Sequence, residues 1–345
     1  MAERGAEDSA RNDRPTGDLA RTARASVRES LRRAAKSLRR AGTSGDAESI
    51  HRMRVATRRA QAALLAFGDL IGDGEALERV GGDLDRMRKS GSKARSCDVD
   101  LRALGDRLRV CDDGEMAAAI GFVMSRLSGE RARGRERVGR LGKRFDSDGY
   151  RRAAKCVVRS IDAGGAGERL TEWAMKRVGG ALEEVWARGN EGALDAEHLH
   201  ELRIALKRLR YQAELFESFV AWSGWRGMIE ACAACQERLG HANDATELAV
   251  RVRGIAEELD ASASGWGGSL RDGLERLADG LEREGRERGE AAQSWWMGEG
   301  KRSVDRLIGN GSTGGSNGPM MDLDAAMDAA LTDARRSLED RGTGG

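Results

Sequence analysis

The sequence predicts an all-α protein, and three observations carry that reading. Only two prolines occur in 345 residues, and proline is the residue that helix interiors exclude. Ala, Leu, Arg and Glu, all good helix formers, are abundant, while β-branched runs are few. Apolar residues also recur at helical spacing from Leu19 onward. At 39% hydrophobic content, a chain of this length can bury packed cores and accommodate two domains or one large duplicated domain.

Taken in order, residues 1–18 are polar and read as a disordered tail. Helices are predicted at about 19–41, 47–67, 75–110, 115–141 and 147–162, then at about 168–189, 195–219, 225–259 and 268–297. Glycines punctuate them: Gly68, Gly72 and Gly74, then Gly164, Gly165 and Gly167, Gly189 and Gly192, Gly224 and Gly227. Gly121 and Gly273 fall inside predicted helices. Residues 306–319 read as a Gly/Ser-rich linker, since glycine and serine at that density hold no helix. Residues 320–345 are expected to form a short amphipathic helix and tail. The body is therefore 19–305, with a first half at 19–167 and a second at 168–305.

The halves announce themselves by repetition. His51-Arg52-Met53-Arg54-Val55-Ala56-Thr57-Arg58-Arg59 returns as His200-Glu201-Leu202-Arg203-Ile204-Ala205-Leu206-Lys207-Arg208. Residues 51–67 share five identities in seventeen with 200–216, at an offset of 149. Downstream, Ala94-Arg95-Ser96-Cys97-Asp98-Val99 matches Gly240-His241-Ala242-Asn243-Asp244-Ala245 at an offset of 146. The order of two landmarks thus repeats.

On a helix, positions +3, +7 and +8 from each histidine gather with it on one side. Met53, Ala56, Ala60, Ala63, Leu64 and Phe67 take the opposite arc, as do Leu202, Ala205, Leu209, Ala213 and Phe216. Such a polar face is ordinarily just solvated, but a solvated face mixes signs. Lys+Arg and Asp+Glu are nearly balanced overall, 59 against 57, yet residues 51–67 hold four Arg and no acid. Residues 202–212 add Arg203, Lys207, Arg208 and Arg210, again without an acid. Cations kept without local neutralisation cost stability by self-repulsion, which favours a polyanion-binding surface.

Leu199 to Tyr211, followed by Gln236-Glu237-Arg238-Leu239-Gly240-His241-Ala242-Asn243-Asp244, resembles the second half of a CHAD domain, the conserved histidine α-helical domain. His51 to Arg59 and, more loosely, Lys93 to Val99 resemble the first half. There the usual Arg-Asp pair reads Arg95-Ser96, with Asp98 shifted. The resemblance covers about 19–305. It implies a pair of four-helix bundles related by pseudo-twofold symmetry, whose basic helices face a central channel for inorganic polyphosphate, and association with polyphosphate granules. Some members of the family carry a triphosphatase tunnel domain, for which the duplication leaves no room.

Polyphosphate carries about one negative charge per unit, so binding it calls for many guanidinium and ammonium donors along a groove. Arg54, Arg58 and Arg59 are expected on one side, and Arg203, Lys207, Arg208 and Arg210 on the other. Arg28, Arg32 and Lys36, at i,i+4 spacing on the preceding helix, extend the track, and Arg95 is a further candidate. His51 and His200 are either ligand contacts or helix caps and packing residues. Beside several Arg they should be neutral when empty and gain protons with a bound polyanion, tightening binding as pH falls.

Other signals point elsewhere. Cys232-Ala-Ala-Cys235, with no second pair, reads as core, and no metal or other cofactor is expected. His198 and His200 point to different sides of a helix. The run 309–318 has no following Lys and is no phosphate-binding P-loop. Asp244 reads as a cap at a helix junction. No nucleophile is paired with a base, so a non-enzymatic binder is expected. The alternatives are an RNA-binding surface, disfavoured by 4% aromatic content and only Tyr211 on the charged side, and a polyphosphate phosphohydrolase, disfavoured because carboxylates for Mg²⁺ are missing from the basic faces. With five scattered cysteines, a charged N-terminus and no membrane span, the chain is expected in the cytoplasm. Its oligomeric state is left open.

Overall fold

The structure, a computed structural model, describes residues 19–162, 169–190, 196–261 and 268–302. The N-terminal tail, the linker and the C-terminal helix expected from the sequence lie outside them. Among the described residues the fold is all-α. The helices are α1 (Leu19–Ser44), α2 (Ala47–Phe67), α3 (Gly74–Ser90), α4 (Ser92–Leu108), α5 (Gly114–Arg144), α6 (Ser147–Arg159), α7 (Leu170–Asn190), α8 (Ala196–Phe216), α9 (Trp225–Ala261) and α10 (Gly268–Trp295). A π turn, Trp296–Gly300, continues α10.

Aspartates start four of them. Asp46, Asp73, Asp113 and Asp146 accept backbone N–H groups of the first turns of α2, α3, α5 and α6, each worth about 1 kcal/mol against alanine. Asp46 accepts from Ser49 N at 2.8 Å, so His51 does not cap α2. An isolated antiparallel bridge, Ile71 to Ile161, ties the turn after α2 to the end of α6. Arg24 locks it by donating through Nη2 to the Ile161 carbonyl at 2.6 Å.

The helix predicted over 75–110 is in fact two. The chain bends at Gly91, because α2 presses on that point. A Cβ there would lie 2.8 Å from Met53 Cε and 3.2 Å from Ile50 Cγ2. The corresponding helix of the second half, α9, stays continuous through Gly240. Asp244 therefore sits inside a helix, which corrects its reading as a junction cap. Cys232 and Cys235 are buried among apolar side chains, and burial pushes both thiols up to about 12.

Apolar side chains form two cores, and both draw on both halves. The larger gathers α1, α2, α3, α6, α7, α8 and the start of α9; the smaller joins α4 and the first part of α5 to the end of α9 and the start of α10. Phe67 and Phe216, occupants of the same place in the two repeats, meet edge to face with ring centroids 5.8 Å apart. Contact between equivalent residues is what a twofold relation between α2 and α8 requires, and such a pair adds about 0.5–1.5 kcal/mol beyond its buried area.

Four helices pass from one core to the other, and each crosses through charge. Along α4 the switch from Ala94 to Cys97 spans Arg95 and Ser96. On α9 it runs from Leu239 to Leu248, past Asn243, Asp244 and Glu247. Between Val138 and Leu127, α5 carries Glu130, Arg131 and Arg135. Between Leu281 and Ala292, α10 carries Glu284 and Arg288. This polar belt is where the basic faces of α2 and α8 arrive.

Candidate anion-binding site

Helix α2 buries Met53, Thr57, Ala60, Ala63, Leu64 and Phe67, which turns Arg54 and Arg58 toward the belt. Arg54 is half-buried. Its Nη1 donates to the Arg88 carbonyl at 3.2 Å and to Ser92 Oγ at 2.7 Å, pinning α2 to the bend between α3 and α4. Burial, followed by the charges of Arg58, Arg88 and Arg95, brings the Arg54 guanidinium down to about 10. Four cations thus share one neighbourhood.

Helix α8 builds the other side. Leu202, Ala205, Leu206 and Leu209 are buried, leaving Arg203 and Lys207 half-buried at the belt. Arg203 lies against Gly240, where an added Cβ would stand 3.7 Å from Nε, and that Nε is buried without a hydrogen-bond partner. Burial lowers the Lys207 ammonium to about 7, helped by Arg203 and Arg58 and opposed by Asp244. Arg58 of the first half thus acts on Lys207 of the second as well as on Arg54, so the two basic helices share one field.

Among the described residues, Arg54, Arg58, Arg95, Arg203 and Lys207 have no carboxylate within ion-pair distance. Other predicted residues do. Arg59 Nη2 is 3.5 Å from Glu214 Oε2, Arg208 pairs with Glu184 of α7, and Arg210 Nε is 3.2 Å from Glu214 Oε1. Arg208 also lines a cavity of about 470 Å³ with Trp173, Arg177 and Leu65, away from the belt. Arg28, Arg32 and Lys36 stand exposed on α1, and Arg32 shares Glu29 with Arg33. None of these three is among the charges that act on His51, Arg54 or Lys207.

The histidines differ. His51 is exposed at the mouth of a groove of about 370 Å³ that also contains Arg33, Arg52 and Arg59. Burial and Arg95, with smaller contributions from Arg54 and Arg58, hold its imidazole below the ordinary value. His200 is held on α9, its Nδ1 3.2 Å from Asn243 Oδ1.

The glycines correct one sequence alignment. Gly91 abuts Arg54 and Gly240 abuts Arg203, so the landmarks correspond at the same 149-residue offset as the basic helices. Arg95 then answers to Asp244, and Asp98 to Glu247. Two participants went unnoticed in the sequence: Arg88, whose charge reaches Arg54 although Asp85 pairs with it at 3.1 Å, and Asp244 as a counter-charge to Arg203 and Lys207. Burial raises the Asp244 carboxyl and Arg203 opposes that rise.

No cluster of three or more His, Cys, Asp or Glu able to hold a metal occurs among the described residues. No described helix is long and apolar enough to cross a membrane.

A family model for the CHAD domain matches residues 23–253, and the chain belongs to that family. Among solved structures it resembles the CHAD domain from the plant Ricinus communis, at a TM-score of 0.55 and 20% identity, over 78% of this chain and 92% of that one. It also resembles PptA from Streptomyces chartreusis, at a TM-score of 0.59 and 16% identity, over 84% of this chain and 99% of that one. At these identities the likeness concerns the fold. Comparison with curated proteins gave no match.

Proposed function

We propose that this CHAD domain protein binds inorganic polyphosphate without hydrolysing it, at the cations where α2 and α8 meet the polar belt, and that this binding carries it to polyphosphate granules. The observation behind this reading is the sorting of charges. Arg208 is paired with Glu184, and Arg59 and Arg210 share Glu214, whereas Arg54, Arg58, Arg95, Arg203 and Lys207 are held close together with no carboxylate in ion-pair contact among the described residues. Like charges partly withdrawn from water repel, and a polyanion relieves that repulsion while offering several acceptors to each guanidinium. A phosphate chain needs no base-stacking platform, and Tyr211 is the aromatic residue whose charge reaches Arg54.

The test is binding of long-chain polyphosphate and of single-stranded RNA to wild type and to Arg54→Ala/Arg58→Ala/Arg203→Ala/Lys207→Ala, with phosphate release followed in parallel. The expected outcome is salt-dependent polyphosphate binding that drops at least about a hundredfold in the variant, weaker RNA binding and no released phosphate. RNA binding equal to or tighter than polyphosphate binding would replace the ligand, and phosphate release would make the protein an enzyme.

A further inference from the structure

A second concentration of cations lies outside the belt, where α1 and α5 cross. The two helices touch backbone to backbone. A Cβ on Gly42 would come within 3.0 Å of Gly142 Cα, with the Val138 carbonyl at 3.6 Å, while one on Gly142 would stand 3.7 Å from the Leu38 carbonyl. The helices therefore cross closely at these glycines, with Leu38, Ala41 and Val138 buried and charged residues of both helices exposed.

On α5, Arg133, Arg137, Arg140 and Arg144 are exposed and follow one i,i+3/i,i+4 row, a track about 16 Å long at 1.5 Å per residue. On α1, Lys36, Arg39 and Arg40 are exposed beside the same crossing. Residues 131–144 contain seven Lys+Arg and one acid, Glu136, whose Oε1 is 3.4 Å from Arg140. Residues 32–40 contain five Lys+Arg and no acid. Arg133, Arg137, Arg144, Lys36, Arg39 and Arg40 have no carboxylate within ion-pair distance among the described residues. Rows of like charge at this spacing destabilise their own helices by a few tenths of a kcal/mol per pair.

We propose that this face is a second polyanion track, which takes the part of a long phosphate chain that runs beyond the central cluster. The groove between α1 and α2 adds Arg33 of α1 and His51, Arg52 and Arg59 of α2 to the cations on this side of the molecule, with Glu48 paired to Arg52. The chemistry of the face narrows the ligand. None of the exposed large apolar residues, Leu65, Val110, Ile204, Val250 and Met297, lies at the crossing, so nothing there enters a lipid surface. The neighbouring aromatic side chains, Phe145 and Tyr150, pack against each other and the core, so none is offered to a nucleobase. A surface of guanidinium and ammonium groups alone suits an anion that is all backbone.

The inference rests on the central site binding polyphosphate, and its test separates the two. Wild type, an outer variant (Arg39→Gln/Arg133→Gln/Arg137→Gln/Arg144→Gln) and a central variant (Arg58→Gln/Lys207→Gln) are titrated with long-chain polyphosphate, tripolyphosphate and single-stranded RNA across a range of salt. The outer variant should bind the long chain at least about tenfold more weakly, with a log–log salt slope reduced by about 3 for four lost cations. It should hold tripolyphosphate as wild type does and melt no lower than wild type. The central variant should lose both phosphate ligands. An outer variant equal to wild type on the long chain makes this face merely solvated and overturns the second track, leaving the central site untouched. A loss confined to RNA overturns it too, in favour of nucleic acid. Absence of any polyphosphate binding by wild type removes the central reading itself.

Discussion

The two halves each carry a copy of the same basic helix but not the same electrostatics. Residues 19–162 carry 33 Lys+Arg against 20 Asp+Glu, while residues 163–302 carry 19 against 25. The near-neutral total conceals a basic half joined to an acidic one. The difference is sharpest beside the paired basic helices. In the first half the position on α4 facing Arg54 is Arg95; in the second, the matching position on α9 facing Arg203 and Lys207 is Asp244. The two basic helices place cations alike, but their neighbours differ in charge. A bound polyanion should therefore be held harder by the α2 side, with Asp244 restraining the α8 side.

Exchanging the two residues is the strongest way to break that asymmetry. Arg95→Asp should weaken polyphosphate binding about tenfold, roughly 1.4 kcal/mol, and Asp244→Arg should strengthen it by a similar factor. The double exchange should return near wild type. If titration calorimetry shows both single variants unchanged, the asymmetry has no bearing on the ligand.

A smaller effect comes from Lys207. With its ammonium brought down to about 7, Lys207 itself is about half protonated near neutrality in the empty site, and a polyanion favours the charged form. Binding should thus take up a proton and weaken by up to about tenfold per pH unit as pH rises above 7. Lys207→Arg should flatten that profile. The sign for stability is opposite. Between about 7 and the ordinary lysine value the unfolded chain binds more protons than the folded one, so the free protein should gain stability as pH rises through that window. A binding profile equally steep in Lys207→Arg would move the titration to another group, His51 first.

The smallest effect concerns the backbone of the two halves. Gly91→Ala should cost about 1–2 kcal/mol, because the new methyl meets Met53 and Ile50 and one of them must move. Gly240→Ala has only Arg203 at ordinary contact distance and should gain up to about 1 kcal/mol of helix stability. Thermal melts that shift in the same direction for both would erase the distinction between a bent and a straight crossing.

These contrasts also mark what the sequence could convey. Helix α2 was readable end to end, since its apolar arc, its Asp46 cap and Gly68 are all local. The bend at Gly91 was not, because its cause is the side chain of Met53, which sequence periodicity around residue 91 does not register. In the site, the basic faces of α2 and α8 were readable because i,i+4 acids are missing at most positions. Which cations stay unneutralised was not, since the acids that decide it come from elsewhere: Glu184 on α7 takes Arg208, and Glu214 of the opposite half takes Arg59. Arg210 is the local exception, with Glu214 four residues on, just past the acid-free stretch.

The two cores that cut across the repeats have a consequence for how the chain reaches this shape. Each buries side chains separated by well over a hundred residues, as Phe67 and Phe216 are, and such long loops must close before either core repays their entropy. As the chain leaves the ribosome N-terminus first, α2 meets α1 and α3 early, whereas its partners from the second half, such as Phe216 of α8, arrive only later. Until then the first half is a strongly cationic, incompletely covered intermediate. Both cores draw side chains from both repeats, so a chain severed between α6 and α7 would leave each half with only part of either core.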